Sequence, residues 1–447
     1  MSAAAAAAPA DAEPEPRIGR LILLAAVVGL VAAGGAVLFV TAEHWVEHFL
    51  WEVVPEQLGW QEPAGWWVIA VLLLGALLVY AAMQLPGEAG HRPLDGFTLD
   101  INSRAMIGSV LLAALGSLAF GAVLGPEAPL LAIGTTVGLF LARRSMSAEV
   151  HILVAAGAMA AIGNIFGNPM VTAILVLEYF VLRGGVGGKN AVTELLPVMT
   201  ALGFGYLLQV GVTRNWEGFG ESVLAVPGLP DYSSVLIADL VIAVVLAAVV
   251  AAFTTAAFRI GSGYQKIALL RPLPALLGAA GILGVTAIVV RAITDLPVES
   301  VLFSGQSAIG DTLLVGSAGT LLLVALAKVL VFGVSLGSGF RGGAVFPAVF
   351  IGVTLGTLTS VILDNASLSA YVAAGIAAGG AASMRLPFTS VLLAVLLCSE
   401  SGYAITSVAI PAAAVGLLVR AMIDAAIERK SVAEVENVGD PVEGKRD

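Results

Sequence analysis

Two short motifs, Gly-Pro-Glu-Ala-Pro at Gly125 to Pro129 and Gly-Ala-Val-Phe-Pro at Gly343 to Pro347, lie 218 positions apart, each after a long apolar segment. The same offset relates Ala155-Ala156-Gly157 to Ala373-Ala374-Gly375, Pro169 to Pro387, and Gly134 and Gly138 to Gly352 and Gly356. Punctuation repeated at one interval marks an internal duplication. Each half reads as a long span, a Gly/Pro hinge, a short glycine-spaced helix and a further Ala/Gly-rich helix. Doubled membrane folds of this kind place their site where the two broken helices meet.

With 59% hydrophobic and 12% charged residues and a mean hydropathy of +0.98, the chain is a polytopic membrane protein and not a soluble globule. Stretches long enough to span a bilayer run over 21–41, 66–85, 105–124, 190–210, 235–258, 273–291, 315–336 and 404–423. Shorter apolar pieces at 128–141, 152–163, 169–182, 343–362, 367–382 and 386–398 are expected as half-helices buried among the others. Their frequent Ala and Gly suit close helix packing.

The expected organisation is a disordered tail over 1–17, a transmembrane domain over 18–424 with repeats at about 66–210 and 273–424, and a charged tail over 425–447 without a regulatory domain. The tail before the first span is rich in Pro, Ala and Glu and lacks a basic start, so the span reads as an anchor and not as a cleaved signal. Arg17 and Arg20 precede that span, and Glu43 and Glu47 follow it. This asymmetry predicts a cytoplasmic amino terminus. The net charge of −10 sits in tails and loops and bears on solubility more than on partners. Cys398 is the sole cysteine, which excludes an internal disulfide or a cysteine-based metal site.

Helix N-termini hold anions through unpaired N–H groups and the positive end of the helix dipole, without burying a cation. In both islands a glycine allows close backbone approach and a proline sits beside a helix start. Candidate anion contacts are therefore Gly125, Ala128, Gly343, Ala344, Val345 and Phe346, with Pro129 and Pro347 as helix-start prolines. Glu127 is an ionisable residue flanked by apolar sequence, a functional candidate at membrane depth. Its carboxylate can occupy an anion site, and protonation would remove its charge and release it, which makes Glu127 a candidate gate.

With these islands in order, the chain resembles the CLC family of chloride channels and proton/chloride exchangers. Gly125-Pro126-Glu127-Ala128-Pro129 is similar to that family's G-(K/R)-E-G-P signature, and Gly343 to Pro347 partly matches its G-x-F-x-P. The helix Phe166 to Glu178 and the stretch Ala373 to Thr389 are similar to further family segments. Together these cover most of 85–415.

The departures fall on functional positions. Pro126 replaces a basic residue, removing a charge and an N–H. Val345 replaces a phenylalanine, leaving the N–H groups of Ala344 and Val345 available. The family's serine signature has as its nearest counterpart Gly87-Glu88-Ala89-Gly90-His91-Arg92-Pro93, without serine. The last helix, which carries a pore tyrosine in many relatives, is expected to be missing, since the chain turns charged after Ile427. Where exchangers carry an internal proton-accepting glutamate this chain has Tyr179, a poor relay at neutral pH because phenol pKa values lie near 10. Glu178 either substitutes for it or caps a helix end. Lys328 either raises the potential along the anion path or snorkels from a helix end. Arg385, before Pro387, has the same two readings, with the cap favoured.

Other motifs carry less. Gly337-Ser338-Gly339-Phe340-Arg341-Gly342 satisfies G-x-G-x-x-G but lies in a membrane segment without a βαβ unit. His44, Glu47 and His48 do not form H-E-x-x-H, and Trp45 and Trp51 suggest an interfacial belt. No nucleophile–base pair or metal-ligand set marks an enzyme, and neither a cofactor nor a nucleic-acid partner is expected.

The expected fold is an all-α integral membrane protein of two inverted repeats with tilted and broken helices. The resemblance further implies a homodimer in which each subunit has its own pore, in the plasma membrane. The expected function is passage of chloride or a similar monovalent anion, channel-like or weakly coupled. Proton-coupled antiport and a non-conducting scaffold are the alternatives.

Overall fold

The computed structural model describes residues 18–96, 106–143, 147–182, 191–215, 225–364 and 367–438. The expected disordered tail, 1–17, and the end of the charged tail lie outside them. In the first half, α1 (Ile18–His48) passes through a wider turn at Phe49–Val53 into the short α2 (Val54–Gln57). It is followed by α3 (Gly65–Met83), α4 (Ile107–Leu118), α5 (Glu127–Leu141), α6 (Ser147–Ile162), α7 (Pro169–Leu182) and α8 (Ala191–Asn215). The second half comprises α9 (Ile237–Leu270), α10 (Pro272–Thr294), the short α11 (Ile309–Leu313), α12 (Ala318–Ser338), α13 (Val345–Leu363), α14 (Leu368–Met384), α15 (Pro387–Leu397) and α16 (Thr406–Val438).

Eight helical segments among the described residues are long and apolar enough to cross a membrane. Two lengths differ from the sequence expectation. The stretch 105–124, expected to span, contains the 12-residue α4, which stops before Gly121 turns left-handed at φ +97°. That turn frees Leu124 and Gly125 from the helix. The stretch 343–362, expected as a half-helix, contains the continuous 19-residue α13; its glycines serve packing and do not break it. Nor does the charged sequence after Ile427 end the last helix, since α16 continues to Val438.

The repeat is visible as packing. Helix α1 lies against α5, α6 and α8, while α9 lies against α13, α14 and α16. Helices α3 and α10 pack on each other across the two halves, and so do α7 and α15. Within the first half Gly134 of α5 meets Gly157 of α6, and within the second Gly352 of α13 meets Gly375 of α14. At all four positions a Cβ would overlap the partner glycine's backbone. Small residues let the helices approach this closely, which is how apolar helices gain contact in lipid.

At the centre the halves exchange hydrogen bonds. The Val123 N–H donates to Ser335 Oγ at 3.1 Å, and the Arg341 N–H donates to Ser117 Oγ at 2.8 Å. Ser117 and Ser335 are 218 positions apart, as are Val123 and Arg341. Contacts that swap partners in this way are the mark of two units related by a two-fold axis. The fold is therefore all-α with two inverted repeats.

Three buried side chains lock loops to this frame. Lys328 of α12 has no exposed surface; its Nζ donates to the carbonyls of Val301, Leu302 and Phe303 at 3.1, 2.8 and 3.0 Å. It does not snorkel. Glu178 of α7 accepts from the N–H groups of Phe388 and Thr389 at 3.0 and 2.8 Å and from Thr389 Oγ1 at 2.7 Å, so it caps α15 of the opposite half. Trp51, expected in an interfacial belt, is 4% exposed and donates from Nε1 to the Ala119 carbonyl at 3.1 Å. The indole is internal because it packs edge-on against Phe303.

Two stability outcomes follow. Gly375→Val should force α13 and α14 apart and lower stability by roughly 2 kcal/mol or more, read as a drop in the temperature at which the detergent-solubilised protein loses its monodisperse peak. Lys328→Met should leave three carbonyls without donors and cost about 3 kcal/mol, whereas a snorkelling lysine would tolerate the change.

Candidate functional site

The two islands meet through bare backbone. The Gly125 N–H donates to the Gly343 carbonyl at 2.9 Å, and the Gly343 N–H returns a bond to the Gly125 carbonyl at 2.5 Å. This antiparallel bridge sets the start of α5 beside the start of α13. Glu127 and Val345 are the first residues of their helices. Pro129 and Pro347 each fall two residues later, within the turn whose N–H groups have no helical partner.

From the first position of α5 the Glu127 side chain reaches the N-terminus of α13. Its Oε1 accepts from the Phe346 N–H at 3.3 Å, with the N–H groups of Val345 and of Glu127 itself also directed at the carboxylate. The donors on α13 are thus Val345 and Phe346, both among the residues expected from sequence, because the first helical turn begins at Val345. Glu127 is 2% exposed, and its Oε2 has no hydrogen-bond partner. A Cβ at either Gly125 or Gly343 would overlap this carboxylate, so both positions must be glycine for the side chain to lie there. The carboxylate's negative charge lies against the unpaired N–H groups and the positive dipole end of α13.

Two cavities approach the islands. One, of about 470 Å³, is lined by Glu127, Ala128, Gly343, Ala344 and Val345 together with several arginines. The other, of about 520 Å³, reaches Leu124 and Pro126 and is lined by Glu43, His44 and Glu47. Glu127 lines the first, and the second reaches its neighbour Pro126.

The remaining sequence candidates divide. Tyr179 lines the arginine cavity together with Glu127, whereas both oxygens of Glu178 are occupied at the start of α15. Lys328 touches neither carboxylate; it lies 4.6 Å from the Phe350 ring centroid and holds the 301–303 loop. Arg385 is the left-handed C-cap of α14, and its guanidinium donates to Asp424 at 2.8 Å. The Gly87 to Pro93 stretch, the nearest counterpart of the serine signature, does reach the arginine cavity through Ala89, His91, Arg92 and Pro93. Residues Gly87 to Gly90 all have positive φ, and Arg341 holds the turn by donating to the carbonyls of Ala89 and Glu88 at 3.0 and 3.2 Å.

Arg341, Arg420 and the serine pair Ser117/Ser335 were not singled out by sequence reasoning. The serines carried a usable signal, the 218-residue offset. Arg420 did not, since an arginine near the end of an apolar stretch reads as a boundary marker. Among the described residues no group of three or more His, Cys, Asp or Glu side chains is arranged to hold a metal ion.

The fold has solved counterparts. The chain is similar to a slow cyanobacterial Cl−/H+ antiporter (TM-score 0.73, 18% identity, covering 92% of this chain and 96% of that one). It is also similar to a CLC-type fluoride/proton antiporter (TM-score 0.67, 18% identity, 91% and 96%) and to a eukaryotic CLC transporter (TM-score 0.67, 16% identity, 91% and 72%). In sequence it is 26% identical over 360 residues to a Salmonella newport protein that carries an ion-transport name, YfeO, covering 77% of this chain and 82% of that protein. The family model for the voltage gated chloride channel matches residues 91–419. That match takes in both glycine islands, and the chain belongs to the voltage-gated chloride channel (CLC) family.

Proposed function

We propose that this multi-pass membrane protein carries chloride or a similar monovalent anion between its two cavities, with Glu127 as the protonatable gate. The observation that carries this reading is the Glu127 carboxylate itself: buried, bonded to the N-terminus of α13 through one oxygen, and unpartnered at the other. Its negative charge fills the one position that a passing anion needs. A proton on Oε2 would neutralise the side chain, weaken its hold on the helix N-terminus and vacate the site. Gly125, Ala128, Gly343, Ala344, Val345 and Phe346 then supply the walls and backbone donors for the anion, and Pro129 and Pro347 keep the first turns free of competing helical bonds.

With the amino terminus cytoplasmic, the arginine cavity faces inward and the cavity lined by Glu43 and Glu47 faces outward. Each repeat begins with the helix that backs its island, α1 or α9, earlier than the boundaries at 66 and 273 read from sequence. The plasma membrane is the expected location and a homodimer the expected assembly.

Passage is channel-like or weakly coupled. Tyr179 stands where a proton-accepting carboxylate would be needed, and Glu178 has both oxygens engaged at α15. A second reading, proton-coupled antiport, is favoured by the two neighbours described as proton antiporters and by the free oxygen on Glu127. A non-conducting scaffold is the reading to which the replacements Pro126 and Val345 point.

Chloride efflux from liposomes bearing the purified protein should rise as external pH falls, because protonation releases the gate. Glu127→Gln should flatten that dependence, and an unchanged pH profile in this variant would remove Glu127 from the role. In the same vesicles, an imposed chloride gradient should move few or no protons uphill. Stoichiometric proton pumping would establish antiport, and absence of flux for every halide and nitrate would leave the scaffold.

A further inference from the structure

The arginine cavity holds more cationic chemistry than passage of a small spherical anion requires. Arg92, Arg341, Arg385 and Arg420 line it, against the carboxylates Asp95 and Glu127. Arg341 is committed, its guanidinium donating to the carbonyls of Ala89, Gly339 and Glu88. Arg385 and Arg420 are not. Each donates to Asp424 Oδ2 at 2.8 Å, and Arg259 pairs with Oδ1 of the same carboxylate. Three guanidinium groups thus share one negative charge.

Arg420 is 8% exposed, with its guanidinium 4.3 Å from the ring centroid of Phe258, another cavity-lining residue. Stacking and the Asp424 bond fix the plane of the group, yet its Nη1 is buried without any hydrogen-bond partner. Arg259 Nε, in the same cluster, is also buried without a partner, and unsatisfied buried donors ask for an acceptor. Arg385, on the rim, is 62% exposed and has further N–H groups to offer. The acceptor these forks suit is not a halide. A guanidinium presents parallel donors in one plane, the geometry that matches two oxygens of one anion.

We propose that Arg420 and Arg385 form a second anion site in this cavity, for a tetrahedral oxyanion such as phosphate or sulfate, separate from the site that Glu127 occupies. The cavity volume of about 470 Å³ accommodates such an ion together with its remaining water. Arg420 supplies the rigid fork and Arg385 the mobile one. Asp424 is a positioning residue that holds both and, because three cations share it, does not neutralise them.

The test is titration calorimetry on the purified full-length protein in detergent, with sodium sulfate and sodium phosphate as probes and sodium chloride at matched ionic strength as the comparison. The wild type should bind both oxyanions saturably and more tightly than chloride. Arg385→Gln and Arg420→Lys should each weaken oxyanion binding about tenfold, the loss of one charge-assisted hydrogen bond, while the exposed Arg143→Gln should not. Arg420→Lys keeps the charge facing Asp424, so a deficit in it reports the fork and not the cation. If it fails to fold, the rim variant Arg385→Gln decides alone. Wild-type binding no tighter than for chloride, or variants that bind like the wild type, would overturn the proposal. Chloride flux in liposomes from the same preparation scores the transport reading separately, since oxyanion binding without flux leaves this site standing and removes only the conducting path.

Discussion

The contact on which the rest of the structure depends is the reciprocal pair of hydrogen bonds between Gly125 and Gly343. It joins positions 218 apart, and it does so with bare backbone. A side chain on either glycine would occupy the space that the Glu127 carboxylate fills. The serine bonds at Ser117 and Ser335 extend the same exchange by one step on each side. Four backbone N–H groups that membrane burial would otherwise leave unsatisfied are thereby paired, which is the condition for irregular chain at membrane depth. The short α4 and the left-handed Gly121 follow from this, since the chain must leave its helix to reach the bridge.

Around that bridge the protein gives three buried charges backbone or dipole partners and not counter-ions. Glu127 takes the N-terminus of α13, Glu178 the N-terminus of α15, and Lys328 three carbonyls of one loop. Ion pairs at such depth carry a desolvation cost that geometry must offset fully. Fixed dipoles avoid assembling a second charge. The three differ in saturation: Glu178 and Lys328 have their bonding capacity directed at backbone, whereas Glu127 keeps one oxygen without a partner. A saturated charge fixes the fold, and the unsaturated one is the residue on which the proposed gating rests.

Much of this was legible in the residues. The offset linking Pro169 to Pro387 and Gly134 to Gly352 marked helix starts and close crossings that the structure contains, because proline and glycine act through local backbone geometry. Helix lengths were less legible. Gly352 and Gly356 made α13 look interrupted, although glycine in a buried membrane helix as often permits contact as it breaks the helix. Trp51 looked interfacial because an indole suits both a headgroup layer and a core where its N–H finds a carbonyl. Arg341 and Arg420 were silent, since their partners at Ala89 and Asp424 are chosen by the three-dimensional crossing of segments.

By itself, then, the sequence determined the solvent, the doubling and the placement of the Glu127 carboxylate at a helix start between apolar flanks. These are properties of composition and local chain geometry, and they survive without knowledge of any distant contact. Only the tertiary structure decided that Glu127 lies against the opposite half and not its own, that Glu178 caps a helix, and that four arginines collect in the cavity that Glu127 lines. Each of those depends on which segments the two-fold packing brings together, and a hydrogen bond spanning 219 residues, such as that from Phe346 to Glu127, leaves no periodic trace in the chain that makes it.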